Sequence, residues 1–202
     1  MTKPQTTKAD TLLRLARRGP VRSRDLSAHG IPRSYLARFV QRGILEQVDR
    51  GLYRLVDAPM NEQATLVDVC KRAPGAIVCL LSALQLHNLT TETPHAVWLL
   101  IDAHARPPSF SYPKLVIIRA TGIALDHGVE VRRIDGTPVR VTTPAKTVAD
   151  CFRFRRHVGL DVALEALRDY LRRERNGMDA LVAAARADRV YSVMRPYIEA
   201  TI

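Results

Sequence analysis

The chain has 202 residues, 47% of them hydrophobic and 25% charged, which is enough apolar material for one large domain or two modest ones without covalent staples. Its three cysteines, Cys70, Cys79 and Cys151, lie far apart with no CxxC pair, which argues against a disulfide framework or a structural zinc knuckle and makes a reducing cytoplasm the natural compartment. The formal net charge of +11 is concentrated: residues 1–56 hold twelve Lys and Arg against four acids, the other 146 residues nineteen against sixteen.

In chain order, the polar start from Met1 to Asp10 has no apolar h-region, and the longest apolar stretch, Ala76 to Leu81, is far too short to span a bilayer. Neither secretion nor a membrane anchor is expected. Asp10 to Arg18 places Leu12, Leu15 and Ala16 on one side of a short amphipathic helix that Gly19-Pro20 stops. Ser23 suits an N-cap for a second helix, Arg24 to His29, closed by Gly30. A third helix starts at Pro32, a favoured first helical residue, and runs to Arg42 ahead of Gly43.

At about 100° per residue, Leu36, Phe39 and Val40 share one sector of that third helix, while Ser34, Arg38 and Gln41 lie opposite, flanked by Ala37 and Arg42. Such a face fits a DNA major groove: Arg pairs bidentately with guanine, Gln with adenine, and small residues allow close approach. Arg33 at the helix start is placed to meet a base edge or a phosphate. In Ile44 to Leu55, two short apolar stretches flank Asp49-Arg50-Gly51 and predict a hairpin, the wing of a winged helix-turn-helix. Arg22, Arg24, Arg42, Arg50 and Arg54 are the candidate contacts to the sugar-phosphate backbone, and Tyr53 is read as a core residue that locks the wing. The basic density of this segment favours a polyanion partner, because each neutralised phosphate releases counterions; a solvated surface tuned for solubility is the competing reading of the charge alone.

Charge density drops near Ala58, so a boundary is expected there: 1–57 as the winged helix-turn-helix domain, 58–202 as a second, α/β domain. Pro59 to Gly75 reads as a connection and a helix with Leu66, Val67 and Val69-Cys70 inward. Ile77 to Leu80 is an apolar run, and Ser82 to His87 looks helical. His95–Asp102, Lys114–Arg119, Val129–Ile134 and Val139–Thr142 read as strands of a mixed or antiparallel sheet. Thr143 caps a helix with Pro144 first, Leu160, Ala163, Leu164, Leu167 and Leu171 stripe the next, and Asp169 is placed to pair with Arg173. Helices around Met178–Ala187 and Tyr191–Glu199 complete a helical C-terminal half. The fold class is therefore α+β.

Three stretches together resemble the AbiEi family of antitoxins and regulators of type IV toxin-antitoxin systems. One runs from Asp25-Leu26 through Pro32-Arg33-Ser34-Tyr35-Leu36 to the wing Gly43-Ile44-Leu45 and Arg50-Gly51-Leu52-Tyr53. Another is Leu81-Ser82-Ala83-Leu84-Gln85-Leu86-His87-Asn88-Leu89-Thr90. The last is Thr142-Thr143-Pro144-Ala145-Lys146-Thr147-Val148-Ala149-Asp150-Cys151 with Gly159-Leu160-Asp161-Val162-Ala163-Leu164-Glu165-Ala166-Leu167. The resemblance implies an N-terminal domain that represses its own operon by binding inverted repeats in double-stranded DNA, and a C-terminal antitoxin domain that opposes a nucleotidyltransferase-like toxin encoded alongside. By position, the family's recognition helix falls on Pro32 to Arg42 and its wing on Gln47 to Arg54. Two other readings stay open: an antitoxin that mainly binds its toxin directly, and a plain winged-helix regulator with no toxin.

Chemistry of other kinds finds little support. Histidines 29, 87, 95, 104, 127 and 157 show no HxxxH or HExxH spacing, so no metal site is expected. Asp102-Ala103-His104 and Asp126-His127 are read as solvated turn pairs rather than catalytic ones. There is no GxxxxGK[ST], GxGxxG or GxSxG, and neither a cofactor nor an enzymatic activity is expected. The basic clusters Arg132-Arg133, Arg153 to Arg156 and Arg172 to Arg175 are solvated faces in the plainer reading, or further contacts to nucleic acid or an acidic partner.

Overall fold

The computed structural model describes residues 7–57, 62–109 and 112–201. The chain divides into two compact units, Met1–Leu66 and Val67–Ile202. The boundary expected at 57/58 adjoins residues 58–61, which lie outside the described residues.

The first unit opens on α1 (Lys8–Arg18), two residues earlier than the apolar periodicity suggests. Thr7 is the reason: its Oγ1 accepts from the Asp10 amide at 3.1 Å, and the Thr7 amide donates to Asp10 Oδ2 at 3.1 Å, a reciprocal capping box that satisfies two orphan donors. Strand β1 (Val21–Arg22) follows, and sequence periodicity gave no sign of so short an element. The helix expected over Arg24–His29 is a single 3-10 turn, Ser27–His29. Ser23 does not cap it: the turn begins only at Ser27, with Leu26 in the cap position and no side-chain cap, while the Ser23 amide donates to the Gly51 carbonyl at 2.8 Å and so joins the wing.

Recognition-helix candidate α2 spans Ser34–Gln41. Pro32 and Arg33 precede it rather than open it: their carbonyls accept the Tyr35 and Leu36 amides at 3.1 and 3.0 Å, a turn that leads into the helix. Glycine caps bracket this segment. Gly30 (φ 63°) donates to Ser27 O while Ile31 donates to Leu26 O, and Gly43 (φ 65°) donates to Val40 O while Ile44 donates to Phe39 O. Both are Schellman motifs, in which a left-handed residue closes the last carbonyls. Strands β2 (Leu45–Asp49) and β3 (Leu52–Leu55) form the hairpin, and β1 pairs with β3 on its other side, giving the order β1-β3-β2. Leu12, Ala16, Val21, Leu26, Ile31, Leu36, Phe39 and Leu45 make the core, with Tyr35, Tyr53 and Leu55 packed against it.

Helix α3 is Glu62–Arg72, with Leu66, Val67, Val69 and Cys70 buried. The second unit is built on a five-stranded mixed sheet of β4 (Ile77–Val78), β5 (Val97–Asp102), β6 (Leu115–Ala120), β7 (Val129–Ile134) and β8 (Thr137–Thr142). Its order is β6-β5-β4-β8-β7; β5/β6 and β4/β8 run parallel, β4/β5 and β7/β8 antiparallel. The helices are α4 (Leu80–Leu86), α5 (Ile123–Asp126), α6 (Pro144–Arg153), α7 (Arg155–Val158), α8 (Leu160–Arg173), α9 (Met178–Ala187) and α10 (Tyr191–Glu199). Thr143 does cap α6, accepting the Lys146 amide, with Pro144 in its first turn.

Helix α6 is buried from Ala145 to Phe152, and α4, α8, α9 and α10 pack around it. The stripe expected on α8 is rotated. Val162, Ala163, Ala166, Leu167 and Tyr170 are buried and Leu160 is exposed, because two alanines let the backbone approach α6 where leucines would hold it off. Asp169 does pair with Arg173, at 3.6 Å, and with Arg172 at 2.7 Å. The charged members of α6 are held inside: Lys146 Nζ donates to Asp150 Oδ1 at 2.6 Å and to both carboxylate oxygens of Asp188 at 2.7 and 2.8 Å, with Arg153 3.5 Å from Asp188. This cluster fastens the end of α9 to α6.

Candidate nucleic-acid interface

The face of α2 is fixed by what its other side must bury. Leu36 and Phe39 go into the core, Tyr35 is half-buried on one flank, and Val40 on the other flank is exposed rather than buried. The buried sector is therefore centred between Leu36 and Phe39, narrower than the sequence alone suggests. Opposite it, Ser34, Ala37, Arg38 and Gln41 are all exposed, with Arg33 at the helix entrance and Arg42 at its exit exposed as well. Among the described residues no carboxylate pairs with Arg33, Arg38 or Arg42. Arg38 instead stacks its guanidinium on the Tyr35 ring, 4.4 Å from the centroid. A cation over an aromatic face keeps its edge donors available while losing side-chain freedom.

Chain direction at the end of α2 is set by the Gly43 cap, which turns the backbone straight into β2, and α2 packs against that strand. The hairpin register opposes Leu45 to Leu55, Glu46 to Arg54 and Gln47 to Tyr53, with one extra residue before Asp49 pairs with Leu52. Such a bulge sharpens the local twist. Arg50 is exposed at the tip, and Tyr53 packs against the core as expected. Arg54 is half-buried, and its Nε donates to Glu46 Oε1 across the strands. Of the two wing arginines only Arg50 stands at the tip; Arg54 braces the hairpin.

On the remaining side of the sheet, Arg22 is half-buried in β1, and Arg24 is exposed beside Asp25 at 3.6 Å. The structure thus gathers Arg33, Ser34, Arg38, Gln41 and Arg42 on one short helix and its two ends. Arg22, Arg24, Arg50 and Arg54 sit on the neighbouring sheet, turn and wing. Sequence reasoning missed Tyr35 as a platform for Arg38; its i, i+3 spacing from an arginine on a helix was the available signal.

Helix, 3-10 turn, helix and two-stranded wing on a three-stranded sheet, with the exposed side of the last helix polar and cationic, is the arrangement of a winged helix-turn-helix. Residues 10–56 match the family model described as transcriptional regulator, AbiEi antitoxin. The AbiEi match takes in most of α1, the whole of α2 and the wing. Over 92% of the chain the fold is similar to the crystal structure of the RV2827C protein from Mycobacterium tuberculosis, at 17% identity, with a TM-score of 0.52 and 71% of that protein covered. No curated protein matches the chain.

The second unit's basic clusters are largely engaged in its own structure. Arg132 pairs with Glu130 at 2.6 Å, Arg153 with Asp188, and Arg172 and Arg173 with Asp169, while Arg155 donates to Phe152 O. Asp102 accepts the His104 amide at 2.8 Å, an Asx-type turn. Among the described residues no group of three His, Cys, Asp or Glu side chains is placed to hold a metal ion. No helix among them is long and apolar enough to cross a membrane.

Proposed function

We propose that the chain is a sequence-specific DNA-binding repressor of its own operon that also acts as the antitoxin of a type IV toxin-antitoxin pair, countering a nucleotidyltransferase-like toxin in the cytoplasm. What carries the reading is the solvent-exposed Ser34/Arg38/Gln41 face of α2 beside a wing with Arg50 at its tip, within the segment that matches the AbiEi regulator model. In this reading Arg33, Ser34, Arg38 and Gln41 meet base edges in the major groove, and Arg22, Arg24, Arg42 and Arg50 meet phosphates. Arg54 uses its Nε on Glu46 and keeps its terminal guanidinium donors, so it braces the wing and stands with these four as a phosphate contact. The domain from residue 58 onward carries the antitoxin role, and no catalytic step is assigned to it.

The experiment has two arms. Duplex DNA from upstream of the reading frame binds at least about a thousandfold more tightly than a scrambled duplex at the same salt. Co-expression with the neighbouring gene product restores growth that the neighbour alone arrests. Equal affinity for both duplexes overturns the repressor assignment, and unrelieved growth arrest overturns the antitoxin assignment.

A further inference from the structure

The sheet of the second unit ends on β7, and the hairpin joining β7 to β8 decides which backbone groups that edge offers. Its loop is two residues, Asp135 (φ 48°) and Gly136 (φ 75°), between the cross-strand partners Ile134 and Thr137. A two-residue loop with both residues at positive φ is a type I′ turn, which closes on a hydrogen-bonded pair. Pair types alternate along an antiparallel ladder. Ile134, Arg132 and Glu130 therefore turn their N–H and C=O groups toward β8, while Arg133, Val131 and Val129 turn theirs outward. Among the described residues β8 is the one neighbour of β7, so three donors and three acceptors line the open edge.

Folded proteins usually blunt such an edge with a bulge, a proline or unmatched charge. The β7 register is unbroken from Val129 to Ile134, and Val131 at its centre is 64% exposed. Arg133 curls back toward Gly136 O at 3.4 Å. Glu130 and Arg132, on the opposite face, are placed symmetrically about Val131 and pair with each other at 2.6 Å along the strand, a pairing that a second copy would take over. If a second copy pairs antiparallel with a two-fold axis through Val131, each Glu130 faces Arg132 of the other copy, in the pair type whose Cα atoms approach to about 4.5 Å. Centring the axis one residue earlier or later sets Glu130 against Glu130, or Arg132 against Arg132. The edge is complementary to itself in one register and repulsive in the two beside it.

We infer that β7 is the seam of a homodimer, two copies joining their sheets antiparallel about Val131 with Glu130 and Arg132 exchanged across the axis. The occupant is a second copy of this chain because the charge pattern fits its own inverse. This dimer does not depend on the DNA-binding reading, and either can fail without the other.

Sedimentation equilibrium of the full chain across the micromolar range tests it, with two kinds of variant. Val131→Pro removes an outward N–H without touching the β8 ladder and abolishes the dimer while leaving the far-UV spectrum unchanged. Glu130→Arg weakens association by about tenfold, and adding Arg132→Glu restores it. Val131→Cys cross-links under mild oxidation, since hydrogen-bonded partners sit about 5.5 Å apart, within disulfide reach, and the three native cysteines are buried. Arg133→Cys, offset by four residues from its own copy, does not cross-link. If Val131→Pro fails to fold, the two cysteine variants decide. A chain that stays monomeric at the highest concentration, a dimer that Val131→Pro leaves intact, or equal cross-linking at 131 and 133 overturns the inference.

Discussion

The Arg38 guanidinium carbon lies 4.4 Å from the centroid of the Tyr35 ring, one helical turn back along α2. Such a stack is worth about 0.5–1 kcal/mol at an exposed site. In the proposed reading of DNA, the stack holds Arg38 near a conformation that reaches a base edge. Tyr35→Leu keeps the apolar packing and removes the aromatic face, so specific affinity falls by about two- to fivefold. In an Arg38→Ala background the same change has no effect on affinity. Fluorescence anisotropy over the four-member cycle measures the coupling, and additive losses would separate Tyr35 from Arg38.

Arg50 belongs to the wing tip rather than the reading face. Arg50→Ala weakens specific and scrambled duplexes alike, and the slope of log K against log salt becomes shallower by about 0.9 units, because one phosphate is no longer neutralised. A salt titration on both duplexes checks this. A loss confined to the specific duplex would move Arg50 to a base edge.

In the second unit, Lys146 is fully buried between Asp150 and Asp188. Burial pushes the Asp150 carboxyl up to about 8, against the attraction of Lys146. Lys146→Met leaves Asp188 with Arg153, at 3.5 Å, as its remaining cation among the described residues, and costs about 3–5 kcal/mol in denaturant unfolding. Because the folded state holds the Asp150 proton more tightly than the unfolded chain, this residue's contribution to stability is full below its ordinary value of 3.8 and is lost as pH rises toward about 8. Asp150→Asn, which cannot ionise, flattens that fall; an unchanged pH profile would contradict the assignment.

His87 titrates with the opposite consequence. Its Nε2–H donates to Thr142 O at 2.6 Å, and Nδ1 is buried with no partner among the described residues, so a second proton has nowhere to donate. Burial, with Arg132 nearby, lowers its pKa from 6.5. A lowered folded value means the contribution is present above 6.5 and is lost as pH falls through the folded value. His87→Gln keeps a donor for Thr142 and removes the titration. Thermal melts on the acid side of neutrality should fall less for the variant than for the wild type, and parallel curves would argue that His87 binds its proton as readily in the fold as in the unfolded chain.

Much of this was legible where local chemistry decides. Gly30 and Gly43 announced left-handed caps, Thr143-Pro144 announced the start of α6, and the Arg50-Gly51 turn between apolar stretches announced the wing. Misses came where distant groups decide. Ser23 has the chemistry of an N-cap, but Gly51, far along the chain, draws its backbone to the wing, and the helical turn starts only at Ser27. Arg54 looks like a free cation until the β2/β3 register sets Glu46 opposite it. Lys146 and Asp150 have the i, i+4 spacing of a surface pair, and only Asp188, 42 residues after Lys146, makes their burial tolerable. The strand β1 is too short for any periodicity and exists because β3 offers it an edge.

In the proposed function, the outward face of α2 reads bases. Binding of wild type, Arg38→Ala and Gln41→Ala to a set of operator duplexes, each with one base pair changed, measures this directly. Each variant should lose about 1–3 kcal/mol of discrimination at one position, a different one for each, and keep it elsewhere. Uniform losses across all positions, or no losses at all, would contradict base reading by this face.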